Sequence, residues 1–411
     1  MKIFLATFGC RANHYDSEAV HAMLVASGHS VVAAAADADA AVFNSCAVTA
    51  DAVADLRQQV RRAARANPSL RSVVMGCAPA AHDRELRLLP TVERTVAGAD
   101  LVDLADWLGI APRFAAERAA RQSGTRAVLR IQDGCDEHCT FCATTLARGA
   151  NRSRAADELV GEATRLADAH AEIVLTGIHI GSYGDDRGDS LGGLVERLVR
   201  ALPATRFRLS SLEASEVDAR LRELFAHPES LAPHLHAPLQ SGSDRVLKRM
   251  GRHWYSARSY ADAIHDIAGA RAAFGVGADV IAGFPGETDD DHAATMALVR
   301  EMPFTYLHVF PFSMRPGTAA ERLGVAVPGD VVTRRARELR ELAASKSASY
   351  RRARAGGEAD VIVIGDAGRR EGLTGDFLTV RIADESLPRG ARVKATLALA
   401  DGALSAHVTR A

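Results

Sequence analysis

The stretch "AVLRIQDGCDEHCTFC", residues 127–142, joins a strand-like run to a loop with Cys135, Cys139 and Cys142 within eight positions. The run "AVLRIQ" (127–132) is short, apolar and β-branched, which reads as a buried strand. Five further candidates follow it: "EIVLT" (172–176), "RFRLS" (206–210), "HLHAP" (234–238), "VGADVIAG" (276–283) and "YLHVF" (306–310). Helical stretches separate them, so six strand–helix units are expected. Eight such units close a parallel α/β barrel. Six predict a partial barrel split along one side, which admits a bulky substrate.

The cysteine loop falls after the first strand, at the carboxyl-end mouth where such barrels place their chemistry. Three thiolates leave a four-ligand metal site incomplete. One reading adds His138 and gives a Cys3His zinc set. The other is a four-iron cluster with one thiolate on each of three irons and a fourth iron open.

Working outward, residues 1–110 alternate between strand and helix. "KIFLATF", "AAVFNSC" and "RSVVMGC" read as strands. "DSEAVHAMLVASGH" reads as a helix with Asp16 or Ser17 near its cap, and "AVADLRQQVRRAARAN" as a second helix. Short joints between them predict a parallel sheet covered by helices. Ligands of such sheets sit beyond the carboxyl ends of the strands. Cys10, Cys46 and Cys77 each fall at that point, so three scattered cysteines converge on one sheet edge. Residues 111–126 read as a linker. The barrel is expected over 127–350, with an Arg-rich helix near its end. Short strands joined by Gly/Asp turns over 355–411 predict a small antiparallel barrel.

The composition agrees with a folded α/β protein: of 411 residues, 47% are hydrophobic and 25% charged, with a formal net charge of −1. Whole-chain charge therefore offers no argument for nucleic acid. Only four of the 50 basic residues are lysines, so any RNA contact would be made mainly by guanidinium groups. "MKIFLATFGC" lacks a secretory pattern, and no apolar run is long enough to span a bilayer. A cytoplasmic setting without membrane partners is expected, and six thiols there read as ligands or catalytic groups.

The cysteine spacing, with Phe141 before the last Cys, resembles the radical S-adenosylmethionine (SAM) superfamily. The resemblance implies that SAM binds the open iron, and that an electron from the cluster then yields a 5′-deoxyadenosyl radical. The other mouth loops are then expected to hold SAM or substrate. Gly177, Ser211, Glu213, Gln240, Asp279 and Glu287 are the candidates. His179, His234 and His236 read instead as packed barrel histidines.

"TFGCRANHYDSE", "NSCAVT", "VMGC", "RLSSLEASE", "HLHAPLQSGSDRVLKRMGR", "GADVIAGFPGET" and "HVFPFSMRPGT", in this order, resemble the methylthiotransferase family, which includes the MiaB, MtaB and RimO enzymes. "VLTGIHIGSYG" is similar to the MtaB-type pattern. The family resemblance implies an N-terminal methylthiotransferase domain, a radical SAM barrel and a C-terminal TRAM barrel. It implies two [4Fe–4S] clusters, the second on Cys10, Cys46 and Cys77, its open iron carrying the sulfur. It further implies SAM as both radical source and methyl donor, and a low-potential electron donor such as flavodoxin or ferredoxin. The MtaB-type substrate is N6-threonylcarbamoyladenosine at position 37 of the tRNA anticodon loop, methylthiolated at C2. Isopentenyladenosine in tRNA and a ribosomal-protein aspartate are the family's alternatives. The TRAM barrel and the Arg-rich helix at 334–354 are expected to grip the tRNA backbone.

Overall fold

A computed structural model describes residues 1–46, 50–116, 121–227, 230–365, 370–384, 386–400 and 402–408. The N-terminal part is a parallel sheet of β1 (Lys2–Thr7), β2 (Ser30–Val32), β3 (Ala40–Ser45), β4 (Arg71–Gly76) and β5 (Val92–Ala97), in the order β2-β1-β3-β4-β5. The helices α1 (Arg11–Ala26), α2 (Ala50–Ala66), α3 (Ala78–Leu86) and α4 (Leu101–Leu108) alternate with the strands. Two apolar clusters result, one on each face of the sheet: Ile3, Val42 and Met75 lie in one, Phe43 and Val74 in the other. The edge strands escape the sequence pattern: β2 is only three residues long, and β5 carries Glu93 and Arg94 near its start.

Asp16 and Ser17 do not cap α1. The helix starts at Arg11 with Cys10 as its N-cap residue, and Asp16 is buried in its middle. The reason is tertiary: Asp16 accepts from Arg130 at 2.6 Å and Arg148 at 2.8 Å, which outweighs its preference for a cap. The stretch 111–126 is also less of a linker than expected. Pro112–Ala116 forms a 3-10 turn whose Phe114 packs on the N-terminal core. Gln122 is buried and bonds both the N–H and the carbonyl of Val128, while residues 117–120 lie outside the described residues.

The middle part holds six parallel strands. β6 (Ala127–Arg130) stops short of 132; a two-residue β7 (Gln132–Asp133) then pairs antiparallel with β8 (Arg152–Ser153) and frames the cysteine loop. β9 (Glu172–Thr176) and β10 (Arg206–Leu209) pair on β6, while β11 (His234–His236), β12 (Gly275–Ala282) and β13 (Tyr306–Pro311) form the second half. Parallel bridges Phe207↔Leu231 and Ser211↔His236 join the halves. Among the described residues nothing pairs β6 with β13, so the barrel is open there. The helices α5 (Thr144–Arg148), α6 (Ala156–Ala167), α7 (Leu191–Ala201), α8 (Ala219–Ala226), α9 (Asp244–Arg249), α10 (Ala257–Ala268) and α11 (Asp289–Glu301) intervene. Alternation sorts the strand residues. Leu129, Ile173, Phe207, Leu235 and Val280 face the helices in the main core. Their neighbours Arg130, Glu172, Arg208, His236 and Asp279 therefore face the lumen.

α12 (Gly329–Ala353) packs along β13 and leads to β14 (Glu358–Val363), β15 (Glu371–Thr374), β16 (Thr379–Ile382), β17 (Arg392–Ala400) and β18 (Ala403–Val408), a closed barrel in the order β14-β15-β16-β18-β17. The turn between β15 and β16 plugs the floor of the larger barrel. Arg208 donates to the carbonyls of Gly375 at 2.9 Å and Thr374 at 3.1 Å, and Phe377 stacks on His234 at 4.4 Å. No helix among the described residues is long and apolar enough to cross a membrane.

Candidate active site

The loop between β7 and α5 carries Cys135, Cys139 and Cys142, all partly exposed. Gly134 makes its first turn at φ 75°, and a Cβ there would lie 1.9 Å from the carbonyl oxygen of Ala150. No other residue fits. The Cys135 N–H donates to Gly149 at 3.0 Å, and Thr140 ties the loop to the end of α9 through the carbonyls of Met250 (2.8 Å) and Arg249 (3.0 Å). Backbone N–H groups of Glu137 and Thr144 donate to the sulfurs of Cys135 and Cys142, both at 3.4 Å. Arg252 donates to Cys139 Sγ at 3.5 Å and pairs with buried Glu213. Each sulfur thus meets a donor of the kind that tunes metal-bound thiolates. Burial pushes the Cys139 thiol up to about 12, with Arg252 opposing. A thiol so placed ionises only when a metal displaces its proton. The donor set and its surroundings fit an iron–sulfur cluster.

Cys10, Cys46 and Cys77 follow β1, β3 and β4, three adjacent strands of the N-terminal sheet. Gly9, at φ 104°, lets the first loop close on the second: a Cβ there would sit 2.4 Å from Cys46 Cβ. The Cys77 N–H donates to Ser45 O at 2.9 Å. The Cys10 thiol donates to Asn13 Oδ1 at 3.2 Å, and Asn13 in turn donates to Asn44 Oδ1 at 2.9 Å and to Ser45 O at 2.8 Å. Cys46 and Cys77 are buried while Cys10 is exposed. Burial raises the Cys77 thiol, and Arg148 beside it pulls the other way. Ala47–Thr49, the end of "NSCAVT", lie outside the described residues.

The two triplets face one another across the domain interface. α5, directly after Cys142, packs on α3, directly after Cys77. Arg148 at the end of α5 is buried against Asp16 and within reach of Cys77. Arg315 donates to Phe141 O at 3.0 Å and lies within electrostatic reach of both Cys142 and Cys46.

The other expected residues divide. Phe141 packs edge-to-face on Phe284 beside Cys142. Gly177 leaves room for Gln132, whose Oε1 accepts from the N–H groups of Ile178 (3.0 Å) and His179 (2.9 Å). Ser211 is exposed at the mouth. Gln240 holds a left-handed φ of 64°, a strained state for this residue, and its N–H donates to Asp279 O at 2.8 Å. Asp279 accepts from His236 at 2.9 Å and His308 at 3.2 Å, which together hold its carboxyl well below the usual range against its burial. Glu287 is taken by the Gly283 N–H and by Arg335 of α12, so it braces the turn it sits on. His234 and His236 bond the Tyr306 hydroxyl at 2.9 and 3.0 Å. His179 is mostly buried, as a packed histidine would be, and it also reaches the cysteine loop. It lies 3.7 Å from Cys135 Sγ and 2.6 Å from Glu216, and although burial resists its charging, these two raise its pKa to about 10. Sequence reasoning passed over Arg148, Arg252, Asn13 and Asn44; for the last three the only signal was position within the quoted cysteine and mouth motifs.

Two family models match the chain: "Uncharacterized protein family UPF0004" over residues 2–98 and "Radical SAM superfamily" over 129–299. The chain is similar to the threonylcarbamoyladenosine tRNA methylthiotransferase MtaB of Bacillus subtilis, at 36% identity over 84% of this chain and 80% of that one. It is similar to the MtaB of Aquifex aeolicus, at 32% over 89% and 93%. It is also similar to the tRNA-2-methylthio-N(6)-dimethylallyladenosine synthase of Cereibacter sphaeroides, at 34% over 88% and 87%. Among solved structures, the radical SAM methyltransferase TsrM from Kitasatospora setae shares the fold, with a TM-score of 0.57 at 13% identity over 75% of this chain and 72% of that one. The cysteine loop at the mouth of a partial barrel, the sheet-edge cysteines facing it and these similarities over most of the chain agree: the chain belongs to the radical SAM methylthiotransferase family, whose members the MtaB and dimethylallyladenosine enzymes represent.

Proposed function

We propose that the chain methylthiolates C2 of N6-threonylcarbamoyladenosine at position 37 of tRNA. One observation carries the reading: two three-cysteine sets, one in each domain, face each other across an interface in which Arg148 lies against both Asp16 and Cys77. Cys135, Cys139 and Cys142 would hold one [4Fe–4S] cluster with SAM, and Cys10, Cys46 and Cys77 a second. When bound, these groups supply a carbon-centred radical on one side and the sulfur to be transferred on the other. Acid–base chemistry alone does not reach an aromatic C–H of no useful acidity.

The chain's own residues bind, orient and shield. Arg252 and His179 place positive charge beside Cys139 and Cys135. Gln132 fixes the 177–179 loop and Gln240 the 240–242 loop, so that Ser211 and Gln240 remain to flank SAM. Asp279 is committed to its two histidines and lines the lumen below. Cys10, the exposed member of its set, marks the side from which a base extruded from the anticodon loop would approach. An electron donor of the flavodoxin or ferredoxin class would serve the reduction.

The dimethylallyladenosine reading is the alternative that the relatives raise. The lumen speaks against it: His234, His236, Tyr306 and Asp279 form a polar wall, which suits a polar substituent better than an isoprenoid one. The test compares tRNA nucleosides by mass spectrometry from cells with and without the gene. Loss of the 2-methylthio form of threonylcarbamoyladenosine, with its precursor accumulating, is expected. Loss of the isopentenyl counterpart instead would overturn the assignment. With the purified chain, Cys139→Ala should abolish SAM cleavage, whereas Cys46→Ala should keep cleavage and lose methylthio product.

A further inference from the structure

The lower lumen of the barrel has more cations than anions to match them. Arg126, Arg206 and Arg208 converge on the single carboxylate of Glu172, at 3.1, 2.5 and 2.9 Å. Arg206 adds Asp360 at 3.4 Å, and Asp279 higher up is taken by its two histidines. Into this chamber comes a fourth guanidinium from the other domain. Arg11 opens α1, next to Cys10, and its electrostatic neighbours are Arg126, Arg208, Tyr306 and Glu172 of the barrel. It borders a cavity of about 400 Å³ between α1 and the inner side of β6 and β9, lined also by His14, Thr125, Arg126, Val128 and Val174. Among the described residues, the one acid on that cavity's wall, Glu18, is engaged by the N–H and hydroxyl of Ser123. Among the described residues, Arg11 makes no hydrogen bond or ion pair. A guanidinium half withdrawn from water beside two other cations is unfavourable until an anion joins it.

We propose that Arg11 receives the carboxylate of the threonylcarbamoyl substituent, and so selects this nucleoside over one with an apolar N6 group. The inference rests on the function proposed above and names the residue behind its specificity. The planar fork of Arg matches a carboxylate bidentately. An isoprenoid in the same place would leave the guanidinium unpaired, which is discrimination by an unmet polar group. Because Arg11 and Cys10 are consecutive, the residue that reads the substituent is tied to the side of the cleft that carries the N-terminal cysteines.

Two other oxyanions would suit an arginine, a tRNA phosphate and the carboxylate of SAM, and the test separates all three. The reconstituted full-length protein, Arg11→Gln and Arg11→Lys are titrated with three anticodon stem-loops. These are identical except at position 37: threonylcarbamoyladenosine, its carboxamide, or plain adenosine. SAM binding is measured by equilibrium dialysis. The wild type should prefer the carboxylate over the carboxamide by about tenfold or more, the usual size of a charge-assisted bond. Arg11→Gln should erase that preference while still binding the carboxamide as the wild type does, Arg11→Lys should restore part of it, and SAM binding should not change. A preference kept in Arg11→Gln overturns the assignment, as does an equal loss on all three stem-loops, which marks a phosphate contact. A loss of SAM binding overturns it in favour of the cosubstrate. A wild type indifferent to the carboxylate overturns it whatever the variants do. If the wild type methylthiolates the threonylcarbamoyl stem-loop in any of these cases, only the Arg11 assignment falls. If it yields no such product, the proposed function falls as well.

Discussion

Arg252 shows how much a single side chain contributes at the mouth. It is buried, donates to Cys139 Sγ at 3.5 Å, pairs with Glu213, bonds the Tyr255 hydroxyl at 2.8 Å and lies 4.9 Å from the Trp254 ring centre. Replacing it by Met leaves Glu213 buried without its cation, and breaking such a pair costs about 3–5 kcal/mol. Arg252→Met should therefore melt at a clearly lower temperature and bind less iron, while Arg252→Met/Glu213→Gln should recover much of the melting temperature but not the iron. Equal iron in both variants and the wild type would show that the Cys139 contact is incidental. Gly134→Ala is a local test of a different kind. Its Cβ would meet Ala150 O at 1.9 Å, so the loop must open. Iron bound at the 135–142 loop should fall to near zero with little change in far-ultraviolet circular dichroism. The cysteines were legible in the sequence because thiols at strand ends have few other uses. Arg252 was not, because an arginine just past a helix end is ordinary until its partners, 39 and 113 residues away, are brought to it.

At the scale of elements, β9 and β10 make the floor. Glu172 on β9 is fully buried and accepts from Arg206 and Arg208 of β10 and from Arg126. Burial resists its ionisation, but the three guanidinium groups win and hold its pKa well below the usual carboxylate value. A depressed folded pKa means that its stabilisation is complete above the unfolded value of about 4.3 and is lost as the pH falls from there towards the folded value. Glu172→Gln should thus cost several kcal/mol at pH 7, about 3–5 for a broken buried pair. The gap in urea midpoint between the wild type and the variant should stay constant from pH 7 to about 5 and narrow only in more acidic solution. A gap that changes between pH 6 and 8 would point to another group. The six parallel strands were readable from apolar runs and spacing. Their inward charges were not, since "EIVLT" and "RFRLS" read as strands without revealing that one strand's acid meets the other's arginines. Element ends suffered from the same cause: α1 begins at Arg11, because Asp16 serves the neighbouring barrel instead of its own helix. The Arg-rich α12, expected to grip RNA, spends much of its charge internally. Arg335 holds Glu287 and Asp289, Arg334 pairs with Glu338, and Arg340 donates to Val309 O at 3.1 Å.

For the molecule as a whole, the question is what keeps two cysteine sets from different domains in register. The stitch is small and ionic. Asp16 of the N-terminal domain accepts Arg130 of β6 and Arg148 of α5, and Arg154 reaches from the barrel to the Tyr15 hydroxyl at 3.0 Å. Ion pairs of this kind are directional, so they fix orientation as well as contact. Removing this carboxylate leaves Asp133, 3.2 Å from Arg130 and 3.6 Å from Arg148, as the one anion between two guanidinium groups, both in its own domain, so nothing anionic then ties them to α1. Asp16→Asn keeps the shape of the side chain and removes only its charge. Each domain retains its own core, so both should stay folded, with the loss appearing at the interface as an earlier, separate melting step for the N-terminal domain. The chemical consequence is uncoupling. SAM cleavage depends on the barrel loop and should continue, whereas product formation needs both cysteine sets aligned. The ratio of 5′-deoxyadenosine to methylthiolated nucleoside should rise about tenfold or more, the scale at which a small misplacement of reacting groups is felt. A variant that loses cleavage and product in equal measure would show that Asp16 acts on the barrel loop itself and that alignment of the domains is set elsewhere.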